Sequence, residues 1–260
     1  MQAAARLPLL RGLLEDAYGR YFDHAEGHIR LFRGIYPNFP AAAQAMPAWR
    51  PAGYDNESSA YRVIDEWLSI SEYDYPIMFW LSKLVPECRT LFDWGGNVGL
   101  KYFAYRKYLP YPQDMRWRVS DLPAVVAVGR TIAEREGATA LEFTTTLDGL
   151  AEADILLAAG SLNFIEDPIA MLRALPALPR HFIPCKVPVY ERPSKVTLHN
   201  MGTAVCLYHL FNRDEFVRGV EQLGYRLVDE WKSSDCSCYI PLHAEYSIPA
   251  YSGFYFTRDG

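Results

Sequence analysis

Three glycines, Gly95, Gly96 and Gly99, stand in the run LFDWGGNVGL, directly behind an apolar stretch that ends in Asp93. Such a turn bends sharply and brings the backbone close to a ligand with no Cβ in the way. Any nucleotide can use that, but two residues narrow the choice. A dinucleotide fingerprint, G-x-G-x-x-G, ending at Gly99 requires glycine at position 94, where this chain has Trp94. A carboxylate at position 93 also repels the pyrophosphate that such a loop receives at the start of its helix. It favours a ligand bearing an ammonium or another cation and no phosphate.

Asp121 closes the run RWRVSD about 20 residues past Gly99, the separation at which a carboxylate accepts two ribose hydroxyls. Its plainer role is to cap the helix that begins at Pro123. S-adenosylmethionine has a ribose, an amino group and a sulfonium, and it lacks phosphate, so the turn suits it better than NAD. Methyl transfer is an in-line displacement at an activated carbon, and the protein's task is alignment. A hydroxyl acceptor adds the need for a base. His199, in SKVTLHNMG, is the expected one, because it follows the apolar run RHFIPCKVPV in a loop where the methyl group should point. An unperturbed imidazole titrates near pH 6.5. His209 in YHLFNRDEF reads as a packing residue, Glu166 in FIEDP as a cap for the helix after Pro168, and His181 as lying at the wrong end of its strand. Tyr54 and Tyr75, in the N-terminal part of the chain, could stack on a substrate ring or on the adenine.

The elements that must position these residues follow from periodicity. LPLLRGLLEDAYGRYF places apolar residues at helical spacing, and the first 35 residues read as helical. The turn-rich GIYPNFP and AMPAWRPAGYDNESS follow, then two helices in SAYRVIDEWLSI and YPIMFWLSKLV. Residues 1–88 are therefore expected to form a helical cap or lid. Residues 89–260 alternate, with strands in RTLFDW, RWRVSD, ALEFTTTL, ADILLAAGSL and RHFIPCKVPV and helices between them. After a long loop, FNRDEFVRGVEQLG is a helix opened by a capping box, Asn212 with Glu215. YRLVDEWK and SGFYFTRD close the chain as an antiparallel pair. Such alternation predicts an α/β fold, a doubly wound, mostly parallel seven-stranded sheet with helices on both faces.

The bulk properties limit the function classes. A formal charge of −5 with scattered basic residues is no footprint for nucleic acid. No run reaches the roughly 18 apolar residues of a membrane span, and the start of the chain lacks a signal peptide's apolar core, so the cytoplasm is expected. Five cysteines make neither a disulfide framework nor, with CSC the one cluster, a zinc site, and no metal is expected. The aromatic-rich N-terminal part is a candidate homodimer surface.

LFDWGGNVGL, VSDLPAVV and ADILLAAGSLNFIED together resemble the successive motifs of class I S-adenosylmethionine-dependent methyltransferases, over residues 89 to 260. The DLPAVV version is similar to that of small-molecule O-methyltransferases. GIYPNF, GYD and DYPIMFWL are similar to a little-characterised bacterial group of methyltransferases with an N-terminal helical cap. The resemblance implies that Asp93, Gly95, Gly96 and Gly99 surround the methionine part of the cofactor and that Asp121 holds the ribose. It places Leu122 on the adenine, Thr146 and Leu147 at the adenine edge, and Gly160 and Ser161 at the reacting end. Asn97 departs from the small residue usual there, either narrowing the turn or adding an amide contact. The usual O-methyltransferase histidine motif is absent. The expected activity is methylation of a small molecule, at oxygen rather than nitrogen. The rivals are a scaffold that kept the fold and lost the reaction, and a nucleotide-dependent oxidoreductase, which Trp94 and Asp93 disfavour.

Overall fold

A computed structural model of the chain describes residues 8–27, 30–49, 53, 55 and 69–259. The N-terminal part contains α1 (Pro8–His24), β1 (Leu31–Tyr36), α2 (Phe39–Gln44) and α3 (Asp74–Leu84). Then follow β2 (Thr90–Trp94), α4 (Leu100–Tyr105), β3 (Arg116–Ser120), α5 (Pro123–Arg135), β4 (Leu141–Thr144) and β5 (Ile155–Ala159). Next are α6 (Pro168–Arg173), β6 (His181–Cys185), β7 (Val189–Tyr190), β8 (Lys195–Asn200) and β9 (Val205–Asn212). The chain closes with α7 (Arg213–Glu221), β10 (Arg226–Ser233) and β11 (Tyr251–Thr257). The helix expected over SAYRVIDEWLSI lies almost wholly outside the described residues, as does Tyr54. No described helix is long and apolar enough to cross a membrane.

Seven strands form the main sheet in the order β10-β11-β6-β5-β2-β3-β4. Strands β4 to β6 run parallel, while β11 is antiparallel to both β6 and β10. Successive residues of a strand face opposite sides, and both sides here are apolar. Leu91 joins Ile77, Leu81, Phe103, Val125 and Ile132 beneath α3, α4 and α5. Phe92 joins Leu156, Leu172, Phe216 and Val220 beneath α6 and α7. The chain leaves β2 for β3 and β4, then crosses back to place β5 on the other side of β2. Strand order therefore reverses between β2 and β5, where an open sheet of this kind offers its ligand crevice.

The N-terminal part departs from the expected helical cap in two ways. The first concerns β1, which falls within residues expected to be helical or turn. It pairs antiparallel with β8, Phe32 opposite His199. With β9 and β7 it completes a second sheet of order β1-β8-β9-β7. The long loop expected after β6 is thus a β-hairpin, and this sheet draws strands from both sides of residue 88. Phe22 of α1 and Phe39 and Ala42 of α2 cover one face of it. Asn200 of β8 donates to the carbonyls of Phe22 and Ala25, two groups left over at the end of α1. Secondly, α3 is part of the main core. Its Leu81 is fully buried, and Trp80 donates to the Asp229 carboxylate at 2.9 Å and packs on Tyr255. The expected capping box at α7 closes through a third residue. Asn212 accepts from the Glu215 N–H, while Ser194 accepts from the Asn212 N–H and donates to the Glu215 carboxylate.

Leu81→Ala should cost about 3 kcal/mol of global stability, read as a lower urea midpoint at unchanged slope. An unchanged midpoint would mean that α3 is a detachable lid.

Candidate functional site

At the carboxyl end of β2 the chain turns through Trp94–Leu100, and each glycine there makes room for one of the protein's own groups. Gly95 has φ +73°, and a Cβ on it would stand 2.3 Å from that of Ser161. Ser161 packs there, donating its hydroxyl to the Trp94 carbonyl. A Cβ on Gly96 would lie 2.4 Å from the carboxyl carbon of Asp93, and one on Gly99 2.7 Å from Leu141. The expectation of bare backbone facing a ligand is thus refined. Asn97 adopts φ +56° and its side-chain oxygen accepts from the Val98 N–H at 2.8 Å. A short amide that bonds locally in this way is what the left-handed conformation tolerates. This accounts for the departure from a small residue.

Asp93 is fully buried beneath this turn. Its Oδ2 accepts from the Trp117 indole at 3.1 Å, and its Oδ1 has no hydrogen-bond partner among the described residues. Burial pushes the carboxyl up to about 7, against the indole hydrogen bond and the nearby Lys101 ammonium, with Asp121 adding to the rise. On β3's exit, the two oxygens of Asp121 accept from the backbone N–H groups of Asn97 and Leu122, both at 2.8 Å. Burial nonetheless raises its carboxyl above the usual range. The helix cap that Asp121 could have supplied comes from Asp55, whose carboxylate accepts from the Ala124 N–H of α5 at 3.0 Å. The turn therefore spends an N–H group on the chain's own carboxylate, and three acids, Asp55, Asp93 and Asp121, gather around it. Leu122 is exposed beside Asp121. Thr146 is exposed after β4, its carbonyl fixed by the Ser120 hydroxyl, and Leu147 packs against the cluster containing Trp94.

Across the turn, β5 is followed by Gly160 (φ +98°) and Ser161. Here the structure gathers residues the sequence did not single out. Lys101 of α4, with 12% of its side chain exposed, bonds to the fully buried Asp74 at 2.6 Å and to the Tyr73 hydroxyl at 3.1 Å. The Tyr105 hydroxyl donates to the same carboxylate. Burial works against the Lys101 ammonium, yet Tyr73 and Asp74 outweigh it and raise its pKa. Lys186, just past β6, holds φ +57°, a strain of about 1–3 kcal/mol for a residue other than glycine. Its ammonium lies 4.7 Å above the Tyr73 ring, and its stem is 3.4 Å from where a Gly160 Cβ would be. These partners are far apart in the chain and carry no shared motif; the one local sign is a lysine in the first turn of the helix behind the glycines.

His199 is placed differently from expectation, whereas His209 and His181 lie as expected. His199 sits on β8, not in a loop, and is 2% exposed. Its ring stacks on Phe32 at 4.4 Å and faces Phe164 at 6.1 Å, with Tyr208 edge-on. Both ring nitrogens are enclosed, which argues against a proton acceptor that meets substrate. His209 packs on Phe211, and burial lowers its pKa. Glu166 is exposed, and the α6 cap is its neighbour Asp167, which accepts from Ala170. His181 lies at the amino end of β6, bonded to Tyr255. Tyr75 is exposed on α3, and Tyr54 lies outside the described residues.

No protein-family model matches the sequence, and no curated protein matches it. Solved structures do. One is the Burkholderia thailandensis 1,6-didemethyltoxoflavin-N1-methyltransferase, holding 1,6-didemethyltoxoflavin and S-adenosylhomocysteine. It is similar over 86% of this chain and 100% of its own, at 17% identity and a TM-score of 0.51. This chain has the class I methyltransferase fold. The CcbJ methyltransferase of Streptomyces caelestis shares that fold over 80% of this chain and 98% of its own, at 13% identity and a TM-score of 0.51. A SAM-dependent methyltransferase of Aquifex aeolicus does so over 78% and 99%, at 12% identity and a TM-score of 0.52. At the reversal of strand order between β2 and β5 this chain places the glycine turn, with Asp93 buried beneath it and Asp121 beside it.

Asp93 gives a test of its burial. With its pKa raised in the folded chain, the retained proton favours folding fully below the ordinary 3.8. That contribution is lost as pH rises through about 7. Asp93→Asn should therefore gain stability relative to wild type between pH 4 and 7, seen as diverging urea midpoints. A constant difference would show that the carboxyl titrates normally.

Proposed function

We propose that the chain is an S-adenosylmethionine-dependent methyltransferase acting on a hydroxyl group of a small molecule. The observation that carries this reading is the buried Asp93 carboxylate beneath the glycine turn, one oxygen bonded to Trp117 and the other unpaired among the described residues. A buried charge calls for a counter-charge, and the methionine ammonium of the cofactor supplies one. Phosphate suits the same place poorly, because Asp93 would repel it and the Asn97 N–H is already committed to Asp121.

In this reading Asp93, with Gly95, Gly96, Asn97 and Gly99, binds the methionine end. Asp121 binds the ribose: its two backbone bonds fix the carboxylate and leave further lone pairs for hydroxyls. Leu122, Thr146 and Leu147 border the adenine, and the exposed Leu122 offers it an apolar surface. Gly160 and Ser161 border the reacting end. When bound, S-adenosylmethionine supplies a methyl carbon already activated by its sulfonium. The chain's part is to hold the acceptor in line with that carbon and to exclude water. The second sheet serves the latter purpose: Phe164, three residues past Ser161, packs against its Tyr208. Residues 1–88 contribute strand β1 of that cover, and the sequence-based role of His199 passes from base to packing.

In calorimetry S-adenosylhomocysteine should bind the wild-type protein, and Asp121→Ala should weaken it at least about tenfold, the loss of charge-assisted hydrogen bonds. NADH should give no signal. Absence of heat, or an Asp121→Ala variant that binds as tightly as wild type, would overturn the assignment.

A further inference from the structure

The reacting edge holds a positive charge that the cofactor reading does not use. Lys101 is neutralised by Asp74, but among the described residues Lys186 has no carboxylate partner. Its left-handed backbone brings the side chain back from the end of β6 across Gly160 and over the Tyr73 ring. Strain of this kind persists where the surroundings impose it, and it concentrates at functional sites. The Tyr73 ring is itself flanked by two ammoniums, Lys101 at 4.5 Å and Lys186 at 4.7 Å. It also packs against the cluster of Phe32, Tyr208 and Tyr251, which Phe164 joins. The charged groups facing this place are thus Lys186, Lys101 and Asp74, beside an aromatic wall.

We propose that Lys186 receives the acceptor's reacting oxygen as an anion, and that the acceptor is an acidic, conjugated hydroxyl compound. This rests on the methyltransferase reading and extends it. An ammonium preorganised beside an oxygen stabilises its ionised form in a site that excludes water. An acidic hydroxyl gives up its proton to bulk water before the site encloses it and binds as the anion, so no protein base is required. The acceptor oxygen then gives a lone pair to the methyl carbon. The carbon–sulfur bond breaks and its electron pair stays on sulfur, so an anion and a sulfonium become an ether and a thioether. Lys186 keeps its protons throughout. This accounts for the enclosed His199 and His209 and for a reacting edge with no accessible imidazole among the described residues.

The test uses 4-nitrophenol, whose ionised form is coloured, titrated into the protein–S-adenosylhomocysteine complex at a pH below the phenol's own pKa. Wild type should bind the probe and raise the phenolate absorbance. Lys186→Asn removes the charge while tolerating the left-handed backbone. It should bind the phenolate at least about tenfold more weakly, yet bind S-adenosylhomocysteine as before. Lys186→Arg, with charge retained, should preserve part of the colour. No bound phenolate in wild type, or equal colour in wild type and Lys186→Asn, would overturn the proposal. Failure of S-adenosylhomocysteine to bind would count against the methyltransferase reading alone, since the probe titration can be repeated on the unliganded protein.

Discussion

A carboxylate enclosed beneath a glycine turn, with one oxygen bonded and the other unpaired among the described residues, sets the terms for the rest of this crevice. Removing a charge from water is costly unless it is paired, and a lone indole N–H is incomplete compensation for Asp93. The carboxyl responds by moving up to about 7. A cation entering the crevice restores ionisation and gains a partner in a medium where attraction is weakly screened. The glycines follow from the same constraint. A side chain at Gly96 would strike the carboxylate, and one at Gly95 would displace Ser161 from its bond to the Trp94 carbonyl.

The second sheet and the crevice are mechanically joined. Helix α4 starts at the glycine turn and presents Lys101 to Asp74 at the start of α3, while Tyr105, at the end of α4, grips the same carboxylate. The N-terminal part of the chain is therefore tied to the helix that follows the glycine turn. Tyr73, next to Asp74, reaches across the carboxyl edge to Lys186 and the aromatic cluster under the second sheet. One side of the crevice is negative, at Asp93 and Asp121, and the other carries the Lys186 ammonium. Under the proposed function, that division of charge suits a cationic cofactor and an anionic acceptor.

The main sheet was legible because its signals are local. β5 is an unbroken apolar run, Pro123 marks a helix start, and Asp93, the glycines and Asp121 sit at strand ends where spacing alone places them. The second sheet was hidden for the opposite reason. β1 and β8 are more than 150 residues apart, and their pairing leaves no periodic trace within either segment. His199 looked like a loop residue because SKVTLHNMG has polar ends; only the neighbouring strands reveal that its ring is stacked between phenylalanines. Lys186 and Tyr73 escaped notice likewise. A left-handed lysine within an apolar run has no sequence signature, and its ring partner comes from another layer.

The most direct measurement is a crystal structure of the protein soaked with S-adenosylhomocysteine. The ligand's amino nitrogen should lie within about 3 Å of the Asp93 Oδ1 atom and its ribose hydroxyls on Asp121, with no water or anion between the carboxylate and the ammonium. A ligand whose amino group points away from Asp93, or a phosphate-bearing nucleotide seated on Gly95–Gly99 in its place, would contradict the claim that this turn is built for a cation.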